Sequence, residues 1–397
     1  MKRVPVVLLG GINLVRALGL GGIPAVVASP ESFTPAMASR YCLRRVVLPR
    51  LAQRTAVVAR LLRVADELER EFGARPPLFY GDDDWLGLIH EYSRELATRY
   101  RLLLNSPVIA RALHDKALFQ ALGESRGLPV PCRLEWDTLA RYAGPVLVKP
   151  SLKTDWEASP VYHQLFDHAG KARVFDTGAE AAAHPLVQGL RESLQFQEYV
   201  PGDDRSLWSF HGFADEASEL VDWFVGRKIR THPALTGDST YLELARNDEL
   251  AELGRDVARR LGLKGIFKMD FKRHAVTGRY YLLEINARFN LWHYLGAKNG
   301  VNLSRVAYDY LTRGVRPPHV EAGMRYRWLA LRLDWRYYRR EKPPLLEWLG
   351  SLLAAPKVYD LWAWDDPLPF FVDLHHYLPR LRRKIGRQIM RWLSTAS

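Results

Sequence analysis

"LLEINARFN", residues 282–290, ends an apolar strand on three polar side chains, Glu284, Asn286 and Arg288, spaced two apart. In an extended chain alternate residues face the same way, so an acid, a neutral oxygen donor and a cation share one side. The longer stretch "GIFKMDFKRHAVTGRYYLLEIN" (265–286) has strand-like segments on either side of Val276-Thr277-Gly278, the pattern of a hairpin whose three-residue loop ends on a left-handed glycine. That register pairs Ala275 with Arg279 and, counted outward, Asp270 with Glu284. Two carboxylates directly opposite each other repel, so something positive belongs between them. Lys268 and Lys272 share the face and are one answer. Mg²⁺ is the other, since it takes carboxylate and amide oxygens. Asn286 then supplies a third oxygen and Arg288 a cation for a phosphate beside the metal. The hairpin alone leaves both answers open.

Working outward, further cations and turns fall in a suggestive order. "NSPVIARALHDKALFQ" (105–120) starts a helix with Ser106 as N-cap and Pro107 in the first turn, and it carries Lys116. "GPVLVKPS" (144–151) is a short apolar strand ending in Lys149. Two such lysines suit phosphates, although a strand-end lysine often just reaches water. In "LQFQEYVPGDDRSLWSF" (194–210) a strand meets a Pro-Gly break and a second strand begins near Ser206. Glu198, Tyr199 and Val200 join the two strands and offer backbone groups to a purine, with Asp203 or Asp204 near a ribose. A third strand, "LVDWFVGRKIR" (220–230), carries Lys228 and Arg230, and a helix spans about 248–261.

The chain opens "MKRVPVVLLGGINLVRALGLGGIPAVVASP". A signal peptide would need a longer unbroken apolar run than Gly10, Gly11, Asn13 and Arg16 permit. Strand, glycine turn, helix and second strand is the better reading, a βαβ opening. No G-x-G-x-x-G follows the first strand, and the second ends in Ala28-Ser29-Pro30 rather than an acid, which argues against a dinucleotide site. Two distant cysteines, Cys42 and Cys132, argue against a disulfide framework or a zinc site and fit a reducing cytoplasm. With 397 residues, 48% hydrophobic and 25% charged, the chain has room for two or three packed domains.

These pieces together resemble the ATP-grasp ligases, in particular the carboxylate–amine ligase branch that includes D-aspartate ligase-like enzymes and is related to carbamoyl phosphate synthase. "HDK" (114–116), "VLVKP" (146–150), "QEYVPGDD" (197–204), "GRKIR" (226–230), "MDFK" (269–272) and "EINAR" (284–288) run in the family's order. The resemblance implies an α/β chain with an N-terminal doubly wound α/β domain (1–105), an ATP-grasp domain with antiparallel sheets (106–315), and a mostly helical basic C-terminal extension (316–397). It implies ATP with Mg²⁺, or Mn²⁺ in its place. Lys116 and Lys149 then hold nucleotide phosphates, Glu198, Tyr199 and Val200 form the adenine hinge, and Asp203 or Asp204 contacts the ribose. Asp270, Glu284 and Asn286 are the metal ligands, with Arg288, Lys228 and Arg230 facing the transferred phosphoryl group or a substrate carboxylate. The implied reaction joins a small-molecule carboxylate and an amine through an acyl phosphate, releasing ADP and phosphate. Bicarbonate activation, as in carboxylases and carbamoyl phosphate synthesis, is the alternative within the fold, and a non-catalytic nucleotide-binding protein the alternative outside it. The segment after Lys149, "SLKTDWEASP" (151–160), lacks the glycines that many relatives carry in a phosphate-covering flap.

The net charge is +13, and about half of the excess lies after Arg325. In "LPRLRRKIGRQIMRWLSTAS" (378–397), Leu381, Ile385, Ile389 and Leu393 recur at helical spacing while Arg380, Lys384, Arg387 and Arg391 follow another face. That pattern is an amphipathic helix suited to the anionic inner face of a membrane or to a structural cap. No apolar run is long enough to span a bilayer, so the expectation is a cytoplasmic protein with peripheral membrane contact and no nucleic acid partner.

Overall fold

The computed structural model describes residues 3–151, 164–166, 172–235 and 237–375. The flap segment after Ser151 and the basic helix after Tyr377 lie outside the described residues. By its contacts the chain forms two compact units. The first gathers residues 1–102, 290–294 and the chain from Val358 onward; the second gathers 103–289 and 295–357.

The first unit is built on β1 (Val6–Leu9), α1 (Ile12–Leu20), β2 (Ala25–Ser29), β3 (Cys42–Val47), α2 (Arg54–Phe72), β4 (Leu78–Tyr80) and α3 (Asp83–Glu91). Its strands make a parallel sheet in the order β3-β2-β1-β4. All four residues of β1 are buried, which is why this segment reads as a continuous apolar run rather than an alternation. Arg16, on α1, is fully buried too. Its Nε donates to Asp366 Oδ2 at 3.0 Å and its Nη2 to Leu361 O at 2.7 Å. A buried guanidinium needs such partners.

The second unit contains two antiparallel sheets. Helices α4 (Pro107–His114) and α5 (Lys116–Ser125) lead in. Ser106 caps α4 by accepting from Ile109 N, with Pro107 in the first turn, while Asp115 caps α5. Strands β5 (Arg133–Leu134), β6 (Val146–Pro150), β7 (Arg173–Phe175) and β8 (Leu194–Glu198) form a small sheet in the order β5-β8-β6-β7. The larger sheet is built from β9 (Leu207–Ala214), β10 (Leu220–His232), β11 (Asp238–Leu244), β12 (Gly265–Arg273), β13 (Tyr280–Asn286) and β14 (Arg327–Leu329). Within the second unit its strands run in the order β13-β12-β9-β10-β11-β14.

Helix α6 (Asp248–Leu261) runs from an Asn247 cap to a left-handed Gly262, the limits its sequence predicts. Leu250, Val257 and Leu261 pack with Phe210, Phe267, Met269, Phe271 and Ile285. One face of the large sheet is thereby filled, and the alternate residues of β9, β12 and β13 point the other way. Helices α7 (Trp292–Lys298), α8 (Leu303–Arg313), α9 (Leu331–Glu341) and α10 (Leu345–Leu353) follow. Residues 316–397, expected as one extension, are divided. Arg327–Leu329 pairs with β11 in the second unit, while Asp366 binds Arg16, Ser39 and Arg40 in the first.

Candidate functional site

The hairpin of β12 and β13 places Asp270 opposite Glu284. Near the turn the pairs run Arg273 with Tyr280, Lys272 with Tyr281 and Phe271 with Leu282. That is one residue tighter than the sequence count. A bulge between the Phe271 and Asp270 pairs restores the offset, so the two acids meet. Gly278 at the end of the turn has φ +72°, the left-handed conformation the loop requires.

Asp270 is 4% exposed and fully engaged. Its Oδ1 accepts from Ser209 Oγ at 2.5 Å and its Oδ2 from Lys268 Nζ at 2.6 Å. Burial alone would raise its pKa, but Lys268 and Lys228 outweigh that and hold it well below the usual carboxylate range. Lys268 is itself pushed down by burial against the pull of Asp270. Glu284, by contrast, is exposed. The row of Glu284, Asn286 and Arg288 is joined end to end. Asn286 Nδ2 donates to Glu284 Oε1 at 3.1 Å, and Arg288 Nη2 donates to Asn286 Oδ1 at 3.2 Å.

The small sheet and α5 contribute a lysine each. Lys116, the first residue of α5, donates to Pro150 O at 3.1 Å, which ties it to the end of β6. Lys149 Nζ donates to Gln197 Oε1 at 3.1 Å, and Gln197 in turn donates to Gln120 at 2.8 Å. Burial and then the charge of Lys116 push Lys149 down to about 8, while Glu284 pulls it upward. Lys149 of the small sheet, Lys116 of α5 and Glu284 of the large sheet therefore share one electrostatic field.

At the hinge, Glu198 is locked to Cys132. Glu198 N donates to Cys132 O at 2.9 Å, and Cys132 N donates to Glu198 Oε1 at 2.8 Å. Tyr199 N donates to Pro145 O at 3.0 Å, and Val200 is buried. Lys272 does not turn to the acids. Its ammonium sits 4.3 Å from the centre of the Tyr199 ring and 3.3 Å from the Tyr199 hydroxyl. Burial pushes Lys272 down to about 8 against the pull of Asp204 and Asp203.

The two aspartates differ sharply. Asp204 is 9% exposed and accepts from Thr231 N, Thr231 Oγ1 and Leu235 N at 2.7, 2.8 and 2.6 Å. Asp203 is exposed, and among the described residues its side chain accepts locally from Ser206 N and Oγ.

The sequence groups Lys228 with Arg230; the structure separates them. The β10–β11 register shifts between the two residues, and Arg230 pairs with Tyr241. Lys228 adds to the field at Asp270. The Arg230 guanidinium instead lies 4.5 Å from the Tyr241 ring centre and makes a two-pronged ion pair with Asp334, at 2.8 and 2.9 Å. Asp334 is fully buried and also accepts from Thr240 Oγ1 and Trp348 Nε1. Arg230 borders a cavity of about 860 Å³ with Asp203, Arg227, Glu243, Arg327 and Tyr337. Glu243 pairs with both Arg227 and Arg327 there. Trp292 and His293 are both buried in the first unit, and burial pushes His293 down to about 4.

The donor chemistry around Asp270 fits a hard divalent cation, with two opposed carboxylates and an amide oxygen in one row. Among the described residues no cluster of three or more His, Cys, Asp or Glu side chains gathers for a metal. Ser209, Gln197 and Asp334 escaped sequence reasoning. Each acts across pairings between distant strands or helices, which no local spacing reveals.

Comparisons with known proteins agree with this architecture. Residues 196–331 match the family described as ATP-grasp in the biosynthetic pathway with Ter operon. The chain is 21% identical over 290 residues to a D-aspartate ligase of Enterococcus faecium, covering 69% of this chain and 67% of that one. Among solved structures, L-amino acid ligase from Bacillus licheniformis aligns with TM-score 0.53 and 15% identity, over 78% of this chain and 75% of that one. The biotin carboxylase domain of Hydrogenobacter thermophilus 2-oxoglutarate carboxylase, in complex with MgADP, ADP and bicarbonate, aligns with TM-score 0.56 and 14% identity, over 82% and 74%. Residues 196–331 thus carry the match to an ATP-grasp family, and the chain shares the fold of ATP-grasp enzymes and is similar to a carboxylate–amine ligase.

Proposed function

We propose that this ligase uses Mg-ATP to activate a small-molecule carboxylate as an acyl phosphate and passes the acyl group to an amine, releasing ADP and phosphate. The observation that carries the reading is the meeting of two charge sets: Lys149 on β6 with Lys116 of α5 tied to that strand's end, and the Asp270, Glu284, Asn286 and Arg288 row along the hairpin of the large sheet. Phosphoryl transfer asks a protein mainly for positioning and charge neutralisation, which such a pairing supplies.

In this reading the hinge backbone of Glu198 and Val200, with Tyr199 between them, takes the adenine edge. Asp203 takes the ribose, because Asp204 is spent on Thr231 and Leu235. Lys116 and Lys149 hold phosphates. Asp270, Glu284 and Asn286 hold the metal, which when bound neutralises phosphate charge. Lys228 and Arg288 orient the acid. Arg230, already matched by Asp334, is a positioning residue for β10.

One carboxylate oxygen of the acid forms the new bond to the γ-phosphorus as the bond to the β-phosphate oxygen breaks. The amine then attacks the carbonyl carbon, phosphate leaves with that carboxylate oxygen, and the amine loses a proton to solvent.

The relative with bicarbonate bound supports a second reading, in which bicarbonate is the acid activated. Nucleotide products separate the two. ADP release that requires an organic acid and an amine together supports the ligase; ADP release driven by bicarbonate without them favours the second reading. AMP with pyrophosphate as the stoichiometric products overturns both.

A further inference from the structure

The second unit carries an apolar outer surface that the ligase reading does not use. Helices α9 and α10 form a hairpin through Lys342, Pro343 and Pro344, with Lys342 left-handed at φ +48°. Its inner side is anchored firmly. Asp334 takes Arg230 and Trp348 Nε1, Ser351 Oγ accepts from Arg230 Nη1, and Ser351 O accepts from Tyr241. Tyr338 packs 4.8 Å from Trp348 between ring centres.

The outer side is the reverse. Leu346 and Leu353 are 83% and 86% exposed, and Leu345 and Leu349 are 50% and 41% exposed. At 3.6 residues per turn these four leucines fall within an arc of about 100°, on a different side of α10 from Trp348 and Ser351. On α9, Leu331 and Trp335 are each 48% exposed. A contiguous exposed apolar stripe on a rigidly held element marks a contact surface.

Its charge identifies the partner. Arg336, Arg339, Arg340 and Lys342 are exposed at the end of α9 and the turn, answered by exposed Glu341 and Glu347; Arg340 leans toward Glu341 at 3.7 Å. A leucine stripe flanked by tryptophan and an excess of arginine and lysine is the composition of a helix lying in a lipid headgroup boundary. Crossing is not at issue, since no described helix is long and apolar enough to span a bilayer.

We propose that the α9–α10 hairpin docks this protein on an anionic membrane surface, with Leu346 and Leu353 entering the acyl boundary and the α9 cations meeting lipid phosphates. The proposal is independent of the ligase reading and of the basic segment after Tyr377. The test is flotation of the full chain with vesicles of phosphatidylglycerol and phosphatidylcholine, against vesicles of phosphatidylcholine alone. The wild type floats with the anionic vesicles, and the double variant Leu346→Glu/Leu353→Glu loses about fivefold or more of the floated fraction with an unchanged melting temperature. Leu346→Ser/Leu353→Ser, which adds no charge, shows the same loss in smaller degree, and it replaces the first variant if that one melts early. Absence of wild-type flotation overturns the proposal, as does flotation of both variants at the wild-type level. A wild-type dimer in light scattering that the variants abolish overturns it too, making the stripe a protein interface.

Discussion

Asp270 and Glu284 face each other across β12 and β13, yet their surroundings are unequal. Asp270 is buried and held by Lys268 and Ser209, whereas Glu284 stands exposed beside it. Both answers that the sequence left open are therefore present in part: Lys268 does neutralise Asp270, and Glu284 with Asn286 still offers oxygens. Replacing Glu284 by Gln keeps an oxygen that can accept from Asn286 but removes the charge that the proposed metal site requires. The expected result is loss of ATP turnover of about a hundredfold or more with a melting temperature no lower than wild type without metal, because one like charge has gone. Retained turnover would reduce the acids to partners of lysine. Lys149 supplies a pH test. Its folded pKa is pushed down to about 8, below the roughly 10.4 of an unfolded lysine. Between those values the unfolded chain binds more protons, so the cost of burying the ammonium is present below about pH 8 and is relieved as pH rises toward 10. Phosphate binding has the opposite preference, since it needs the charged form. ATP affinity by calorimetry should fall by up to about tenfold per pH unit above pH 8, and Lys149→Gln should bind weakly with a flatter profile. An equally steep profile in the variant would assign the titration elsewhere.

At the scale of elements, what the sequence reveals depends on whether its signals are local. Helix α6 is legible end to end because Asn247 and Gly262 mark its ends and its apolar spacing is regular. Ser106 and Pro107 announce α4 in the same way. The opposition of Asp270 and Glu284 follows from the turn count only because the tighter turn and the bulge offset each other. The bulge in β10 leaves no such trace, and it sends Arg230 to Asp334 while Lys228 stays with the acids. Asp334 lies 104 residues from Arg230, and nothing in either neighbourhood points to the other. This knot yields its own prediction. Asp334→Ala leaves a buried guanidinium without its carboxylate and should cost about 3–5 kcal/mol in chemical denaturation. The double variant Arg230→Met/Asp334→Leu should recover most of that. A single variant within about 0.5 kcal/mol of wild type would mean the pair adds nothing to the fold.

For the whole molecule, the parallel α/β opening and the β12–β13 hairpin are legible because glycine turns bound their strands, whereas the pairing of β11 with β14 leaves no such local mark. The division into units was less so. Residues after 316 supply β14 to one unit and Asp366 to the other, through pairings that join distant parts of the chain. The ligase account rests on bringing Lys116 and Lys149 to the acidic row, and its central claim is the acyl phosphate. The most direct measurement uses an acid labelled with oxygen-18 in its carboxylate, turned over with ATP and an amine. Phosphorus NMR of the released inorganic phosphate should then show one labelled oxygen per phosphate formed. Unlabelled phosphate, or label appearing in AMP, would contradict the account.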